Sequence, residues 1–255
     1  MTPSYSKGED TVTEEIIEKC NELKLKGFAA HIEEALVYGQ EKNWSYKRLL
    51  LHLIGLELER RKQSRIDLRF RQSRLNEQIT IDQFNFDYHK SRNSQKNTIL
   101  DLTHPEFVNQ KKDVILIGHP GVGKTYLAKC IGYTATQAGI KVLFTTAMDM
   151  INQLIAAEAD HSLVKKLDFY QSPALLIIDE IGYLPLGPHG SNLFFQVISS
   201  RHQDKSTLIT TNLPFSEWGK IFDSTTAATA IADRLVHHSE ILVLEGTSYR
   251  KRGKE

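Results

Sequence analysis

Long hydrophobic runs are missing from this 255-residue chain, and no stretch comes near the roughly 18 apolar residues that a membrane span needs. Met1 to Thr11 is polar, so no secretion signal is expected. Cysteine is scarce. Cys20 and Cys130 are too few and too far apart for a disulfide framework or a zinc site. Small buried thiols in a reducing compartment are the expectation, and with them a cytoplasmic protein. An excess of one charge is also lacking. Lys and Arg number 32 against 31 Asp and Glu, a formal net charge of +1. The chain is therefore no polycation, and any nucleic-acid contact has to come from local clustering. The ten histidines offer no pair at metal-ligand spacing with a carboxylate, and adjacent His237 and His238 point apart on a helix. No nucleophile elbow is found. What is present, 40% apolar and 25% charged residues, suffices for one large globular domain and an accessory one.

Met1 to Asp10 reads as an unstructured lead. Thr11 and Glu14 form a T-x-x-E capping box, which predicts a helix start. Ile16, Ile17, Cys20 and Leu23 follow at helical spacing, with Gly27 as the stop. A second helix is predicted over Phe28 to Tyr38, closed by Gly39. Ser45 is expected to cap a long third helix through Leu49, Leu53, Leu56 and Leu58. The apolar stripe then runs into Arg60, Arg61, Lys62, Arg65, Arg69, Arg71 and Arg74, opposed by Asp67 alone. A solvated helix face or a track for DNA phosphates both suit such a run. The resulting division is a small all-helical domain over 1–70, a polar connector over 71–110, and a domain of different texture over 111–255.

In that last part short apolar runs alternate with helical patterns. The runs are Val114–Ile117, Val142–Thr145, Leu175–Ile178, Leu208–Thr211 and Ile241–Leu244. They fit strands buried on both faces, so the fold class is α/β with a central parallel sheet. The first run leads into Gly118-His119-Pro120-Gly121-Val122-Gly123-Lys124-Thr125, a complete G-x-x-x-x-G-K-[ST] loop between a strand and a helix that begins near Tyr126. Glycines let the backbone close around phosphates, and its N–H groups and the helix N-terminus favour an anion. Gly118 through Tyr126 are the candidate nucleotide-binding residues. Lys124 is expected to reach the β- and γ-phosphates, and the Thr125 hydroxyl to bind Mg²⁺. The guanine-selecting Asn-Lys-x-Asp pattern is missing, which favours ATP.

Asp179 and Glu180 directly follow the third run, where strand ends form the ligand crevice. Alone, such a pair is as readily a solvated loop. Behind a full phosphate loop, Asp179 is expected to hold Mg²⁺ and Glu180 to polarise the attacking water. Asn212, at the end of the fourth run, either orients that water or caps the turn before Pro214. Arg234, on a predicted helix, either neutralises transition-state charge in trans or forms a surface salt bridge with Asp233 or a neighbour. Arg250 is a weaker candidate for the same role. The segment Leu186 to Asn192, with two glycines and a proline, reads as a loop able to meet DNA.

The chain closely resembles the IstB family of transposition helper ATPases, relatives of the DnaC helicase loader in the AAA+ class. The resemblance rests on Leu23 to Gly27, Glu59 to Arg61, Ile79 to Phe86, Gly118 to Ala128 and Leu175 to Leu184. It extends through Thr211 to Trp218, Asp233 to His237 and Gly246 to Arg250. It implies an AAA+ ATPase core behind a helical domain used for DNA binding or oligomerisation. It also implies ATP-dependent assembly on double-stranded DNA as a ring or spiral, and a cognate transposase as partner. Under it Lys124 and Thr125 serve phosphate and Mg²⁺, Asp179 and Glu180 form the second motif, Asn212 takes the sensor place, and Arg234 matches an arginine near the subunit boundary. Arg60, Arg61, Lys62, Arg65 and Arg69 become candidate DNA contacts. Eleven residues after Leu244 leave no room for a full C-terminal lid, and Arg250 is the expected substitute for that lid's arginine. A replicative helicase loader would share this chemistry, and a small-molecule kinase also uses a phosphate loop.

Overall fold

The computed structural model describes residues 7–249, with side chains from residue 11. The chain divides between Asp67 and Leu68 into two compact units. The boundary falls inside one long helix. In the first unit, helix α1 spans Lys7–Glu22, α2 spans Lys26–Glu41, and α3 starts at Tyr46 and ends at Gln72. Ile32, Ala35 and Leu53 form a small core, packed by Ile17, Phe28, Leu36, Leu49 and Leu56. These residues recur at the three- and four-residue spacing of apolar helix faces.

Several sequence expectations shift here. Thr11 lies inside α1, which already includes Lys7 to Asp10. Gly27 does not end α1 but sits in the first turn of α2; Lys24, at φ 59°, makes the turn instead. Gly39 is buried within α2, which runs on to Glu41. The N-terminus of α2 has no local side-chain cap. Glu57 of α3 supplies a tertiary one, accepting from the Gly27 amide at 2.6 Å and the Phe28 amide at 3.3 Å. Burial alone would raise the Glu57 carboxyl. The Arg61 guanidinium and the two amides outweigh it and hold the group below the usual carboxylate range.

The second unit holds the end of α3, short helices α4 (Lys90–Ser94), α5 (Lys96–Thr103) and α6 (Glu106–Asn109), and then the alternating part. There β1 (Asp113–Gly118), α7 (Lys124–Gln137), β2 (Val142–Thr146), α8 (Ala147–Ala159), α9 (Leu163–Gln171) and β3 (Leu175–Ile181) follow in order. After them come α10 (Gly187–Arg201), β4 (Ser206–Thr211), α11 (Thr225–Val236) and β5 (Ser239–Leu244). All strand pairs are parallel, in the order β2-β3-β4-β1-β5. Each expected strand is present and longer by one to three residues. The expected loop at Leu186 to Asn192 is instead the start of α10, with Pro188 in its first turn.

Side chains alternate across the sheet. Val114, Leu116, Leu175, Ile177 and Leu208 face Ile99, Leu102, Leu127 and Ile131 on one side. Ile115, Leu176, Ile178 and Ile209 face Met150, Leu154, Phe194, Val197 and Ile231 on the other. The segment expected as a polar connector contributes Leu75, Phe84, Ile99, Leu102 and Phe107 to the first face. None of the described helices is long and apolar enough to cross a membrane.

At the entrance of β1 a buried polar cluster joins α9, α10, β1 and β4. Arg201, 1% exposed, donates to Thr207 Oγ1 and to the carbonyls of Tyr170, Gln171, Pro173 and Ser206. Asp113 accepts from the Thr207 amide at 2.6 Å. Burial pushes the Asp113 carboxyl up to about 7, although the Thr207 amide and Arg201 pull it down. The native state therefore binds more protons than the unfolded chain between the ordinary carboxylate range, about 4, and about 7. Stability contributed by this group is greatest below that window and is lost as pH rises through it. Asp113→Asn keeps the acceptor for Thr207 and removes the titration. Urea unfolding from pH 4.5 to pH 8 should show the variant gaining on the unmodified protein by about 1–3 kcal/mol toward pH 8. Parallel pH profiles would refute the assignment.

Candidate functional site

The site lies where β1, β3 and β4 end. Gly118 closes β1, and residues 119–123 wrap back before α7 starts at Lys124. Val122, 1% exposed, pins the loop into the core. Gly121 and Gly123 take φ 85° and 99°, which L side chains rarely adopt. A Cβ at Gly121 would lie 2.1 Å from Ser248 Oγ, so both the turn and the close approach require glycine. Lys124 reaches back over this loop, donating to the Gly118 carbonyl at 2.6 Å and the His119 carbonyl at 3.0 Å. The result is a concave run of backbone ahead of a helix N-terminus, with an ammonium group across it. That is an anion cradle. His119 and Pro120 are exposed, and His119 contributes its carbonyl. Tyr126 is half-buried, stacked on Phe84 at 5.9 Å, with its hydroxyl donating to the Thr80 carbonyl.

The Thr125 hydroxyl donates to Asp179 Oδ1 at 3.0 Å. Asp179 is buried at 3% exposure and takes a second hydroxyl bond on the same oxygen, from Thr210 at 2.5 Å. Two hard oxygen ligands therefore stand side by side next to the cradle, a donor set that suits Mg²⁺. Thr210 also accepts the Glu180 amide at 3.0 Å. This arrangement follows from a bulge. Ile178 pairs with Ile209 and Ile181 with Thr211, so Asp179 and Glu180 together face Thr210 alone. Glu180 takes φ 63°, a cost of about 1–3 kcal/mol for a side chain with a Cβ. The alternation of the strand breaks there: Asp179 is turned inward and Glu180 outward, into the cleft.

Two recesses meet at the loop. One holds the acidic and amide side chains of the strand ends: Glu180, Thr210, Asn212 and Tyr183 line it with Pro120, Gly121, Lys124 and Thr125. The other is mostly aromatic and aliphatic; Ile79, Phe84, Arg92, Tyr126 and Tyr249 line it, again with Gly121, Lys124 and Thr125. A ligand with an anionic middle over the loop and a flat ring against Phe84 and Tyr126 fits this shape. The turn before Pro214 is capped by Thr211, whose Oγ1 accepts the Leu213 amide at 3.1 Å. Asn212 lines the first recess.

These residues put the chain beside known proteins. The family model of the IstB-like ATP binding proteins matches residues 18–255. The chain belongs to this family. It is 38% identical over 241 residues to the ATP-binding protein ascribed to insertion sequence IS5376 of Geobacillus stearothermophilus, covering 94% of this chain and 95% of that protein. It is 35% identical over 228 residues to the one ascribed to IS232 of Bacillus thuringiensis, covering 89% and 90%. The crystal structure of the DnaC helicase loader superposes with a TM-score of 0.57 at 23% identity, over 65% of this chain and 96% of that one. The parallel sheet with its flanking helices is the AAA+ P-loop fold shared with that structure.

Other IstB-family residues expected at the site lie elsewhere or outside view. Arg234 lies over the Phe195 ring at 4.4 Å and donates to the Ala230 carbonyl; it lines neither recess of its own chain. No ion pair to Asp233 is formed among the described residues. Arg250 is outside them. On α3, Lys62 and Arg65 are exposed, Arg60 and Arg69 half-buried, and Arg61 is engaged by Glu57 at 2.6 Å. Thr210 and Arg92 carry no motif signal, although each stands next to one.

Proposed function

We propose that this chain is an ATP-dependent, DNA-binding helper of a transposase. It assembles as a ring or spiral on double-stranded target DNA and hydrolyses ATP to regulate transposition in the cytoplasm. The observation that carries the hydrolytic half is the 3.0 Å contact between Thr125 and Asp179, with Glu180 turned by the bulge into the same cleft. Lys124 and the loop residues Gly118 through Tyr126 hold the phosphates, and Asn212 orients the attacking water. Thr125 and Asp179 would hold Mg²⁺, which when bound neutralises charge on the phosphoryl oxygens. Glu180, exposed and one residue beyond Asp179, takes the proton of that water.

The link to transposition is supported by the relatives, whose names attach them to insertion sequences. Self-association is supported by Leu50, Ile54 and Leu58, which are exposed at i, i+4 and i+8 on α3. Contact with DNA phosphates is supported by Lys62, Arg65 and Arg69, at i, i+3 and i+7 on that helix. If Arg60, Arg61, Lys62, Arg65 and Arg69 all met phosphates, binding would fall with salt at a log–log slope of about −4 to −5. ATP turnover and particle size, measured with and without duplex DNA at two salt concentrations, test the whole reading. DNA should raise both, and fourfold more salt should weaken binding by roughly 500-fold. Turnover and size indifferent to DNA would refute it.

Arg234 acts in trans in this reading, since it lines neither recess of its own chain. Arg234→Ala should lower turnover by about 10²-fold or more. Mixing it with Lys124→Ala subunits should restore activity, because each supplies what its neighbour lacks. No recovery in the mixture would rule out action across the interface.

A further inference from the structure

Arg92 has no part in the reading above, yet its surroundings are unusual. It sits on α4 with 2% of its surface exposed. Among the described residues no carboxylate faces it. Its neighbours are the rings of Phe84, Tyr88 and Tyr249, with centroids 4.6, 5.0 and 5.5 Å from the guanidinium carbon. Nη2 donates to the Val122 carbonyl at 2.6 Å and Nη1 to the Asn85 carbonyl at 3.0 Å, while Nε has no hydrogen-bond partner. Burial lowers its affinity for the proton from the ordinary arginine range, but a guanidinium starts so high that it stays charged. Burying a cation without a counter-ion costs several kcal/mol. Ordinary packing would place an apolar side chain here.

What sets the position apart is the partner of Nη2. Val122 precedes Gly123 at the head of α7, so one arm of the Arg92 fork holds the phosphate loop while the other holds Asn85. A second tie holds the same loop: the Tyr249 amide donates to the Gly121 carbonyl at 3.0 Å, and the Tyr88 hydroxyl to the Ser248 carbonyl at 3.2 Å. Arg92 thus lies between the loop and the strap at 247–249, and it lines the aromatic recess of the cleft.

We infer that Arg92 is a positioning residue for the nucleotide: it holds the phosphate loop as a formed cradle, and its charge, faced by no carboxylate among the described residues, strengthens that cradle for an anion. This rests on the reading that the loop binds ATP. The cation is tolerated because a polyphosphate supplies the missing negative charge nearby, and the fork keeps loop amides aimed inward before any ligand arrives.

Arg92→Met, Arg92→Lys and Tyr249→Leu test this. Affinity is read by displacing a fluorescent ATP analogue with ATP or with adenosine. Amide hydrogen exchange of Gly121, Gly123 and Lys124 is read without nucleotide. Arg92→Met should weaken ATP about tenfold or more, leave adenosine within twofold, and speed loop exchange about tenfold. KM should rise with little change in kcat. Arg92→Lys should recover part of the ATP affinity, and Tyr249→Leu should show a smaller loss of the same kind. Equal losses for ATP and adenosine, or ATP affinity within twofold of the unmodified protein, would overturn the inference. If Arg92→Met does not fold, unchanged ATP affinity in both other variants overturns it. Failure of the unmodified protein to retain ATP would instead defeat the binding reading.

Discussion

Lys124→Ala is expected to abolish ATP binding, raising Kd by more than 100-fold. In the structure the ammonium group is folded onto the Gly118 and His119 carbonyls, at 2.6 and 3.0 Å. Those carbonyls are neutral acceptors, and phosphate oxygens are stronger ones. Moving from one to the other is therefore favourable and needs only side-chain rotation. Each charge-assisted bond is worth about 1.5–3 kcal/mol, and two of them account for the expected loss. The loop should survive the substitution. Val122 remains buried, and the backbone angles of Gly121 and Gly123 do not depend on the lysine. Calorimetric titration with ATP and Mg²⁺ measures the effect, with far-ultraviolet circular dichroism as the control for folding. A folded Lys124→Ala variant binding within fivefold of the unmodified protein would remove the lysine from the site.

The strands of the sheet and the residues that cover one of its faces differ in how openly the sequence announces them. The five strands stand out because each is a continuous apolar run buried on both faces, and the phosphate loop because its glycines and lysine have fixed spacing. Residues 75–109 do not stand out. Leu75 and Phe84 are isolated among polar neighbours, and Ile99 and Leu102 make only one helical step on the short α5, yet all four are buried against the sheet. Their burial is dictated by the sheet they cover, which local pattern does not encode. The start of α10 is different, because Gly187-Pro188 carries a readable signal: proline in a first helical turn is favourable, and here it outweighs the two glycines. The IstB-type resemblance points to Asp179 and Glu180, but nothing in those two letters announces the bulge that separates them. Glutamate at positive φ is uncommon, and it is held here by the Thr210 hydroxyl from a strand 30 residues away. Arg92 is hidden for a similar reason. Among Lys90, Arg92 and Lys96 only packing tells which cation is buried.

Glu180→Gln separates binding from chemistry more sharply than any other change in this chain. The amide has the size and shape of the carboxylate, so the bulge and the Glu180 amide bond to Thr210 should persist. Asp179 is untouched, with both hydroxyl bonds in place. ATP affinity should therefore stay within about threefold. What is lost, in the proposed mechanism, is a base. A glutamine cannot take the proton of the attacking water, and a well-placed general base contributes roughly 10² to 10⁴-fold. Turnover should fall by that factor in kcat with KM nearly unchanged, which marks an interaction made only in the transition state. The same variant probes assembly. If ATP holds subunits together on duplex DNA and hydrolysis releases them, slowing hydrolysis should leave large particles on DNA for as long as ATP remains bound. Size-exclusion chromatography with duplex DNA and ATP reads this directly. Turnover within threefold of the unmodified protein would remove Glu180 from the chemistry. Slowed turnover with particles that dissociate at the ordinary rate would keep the base and discard the idea that hydrolysis disassembles the complex.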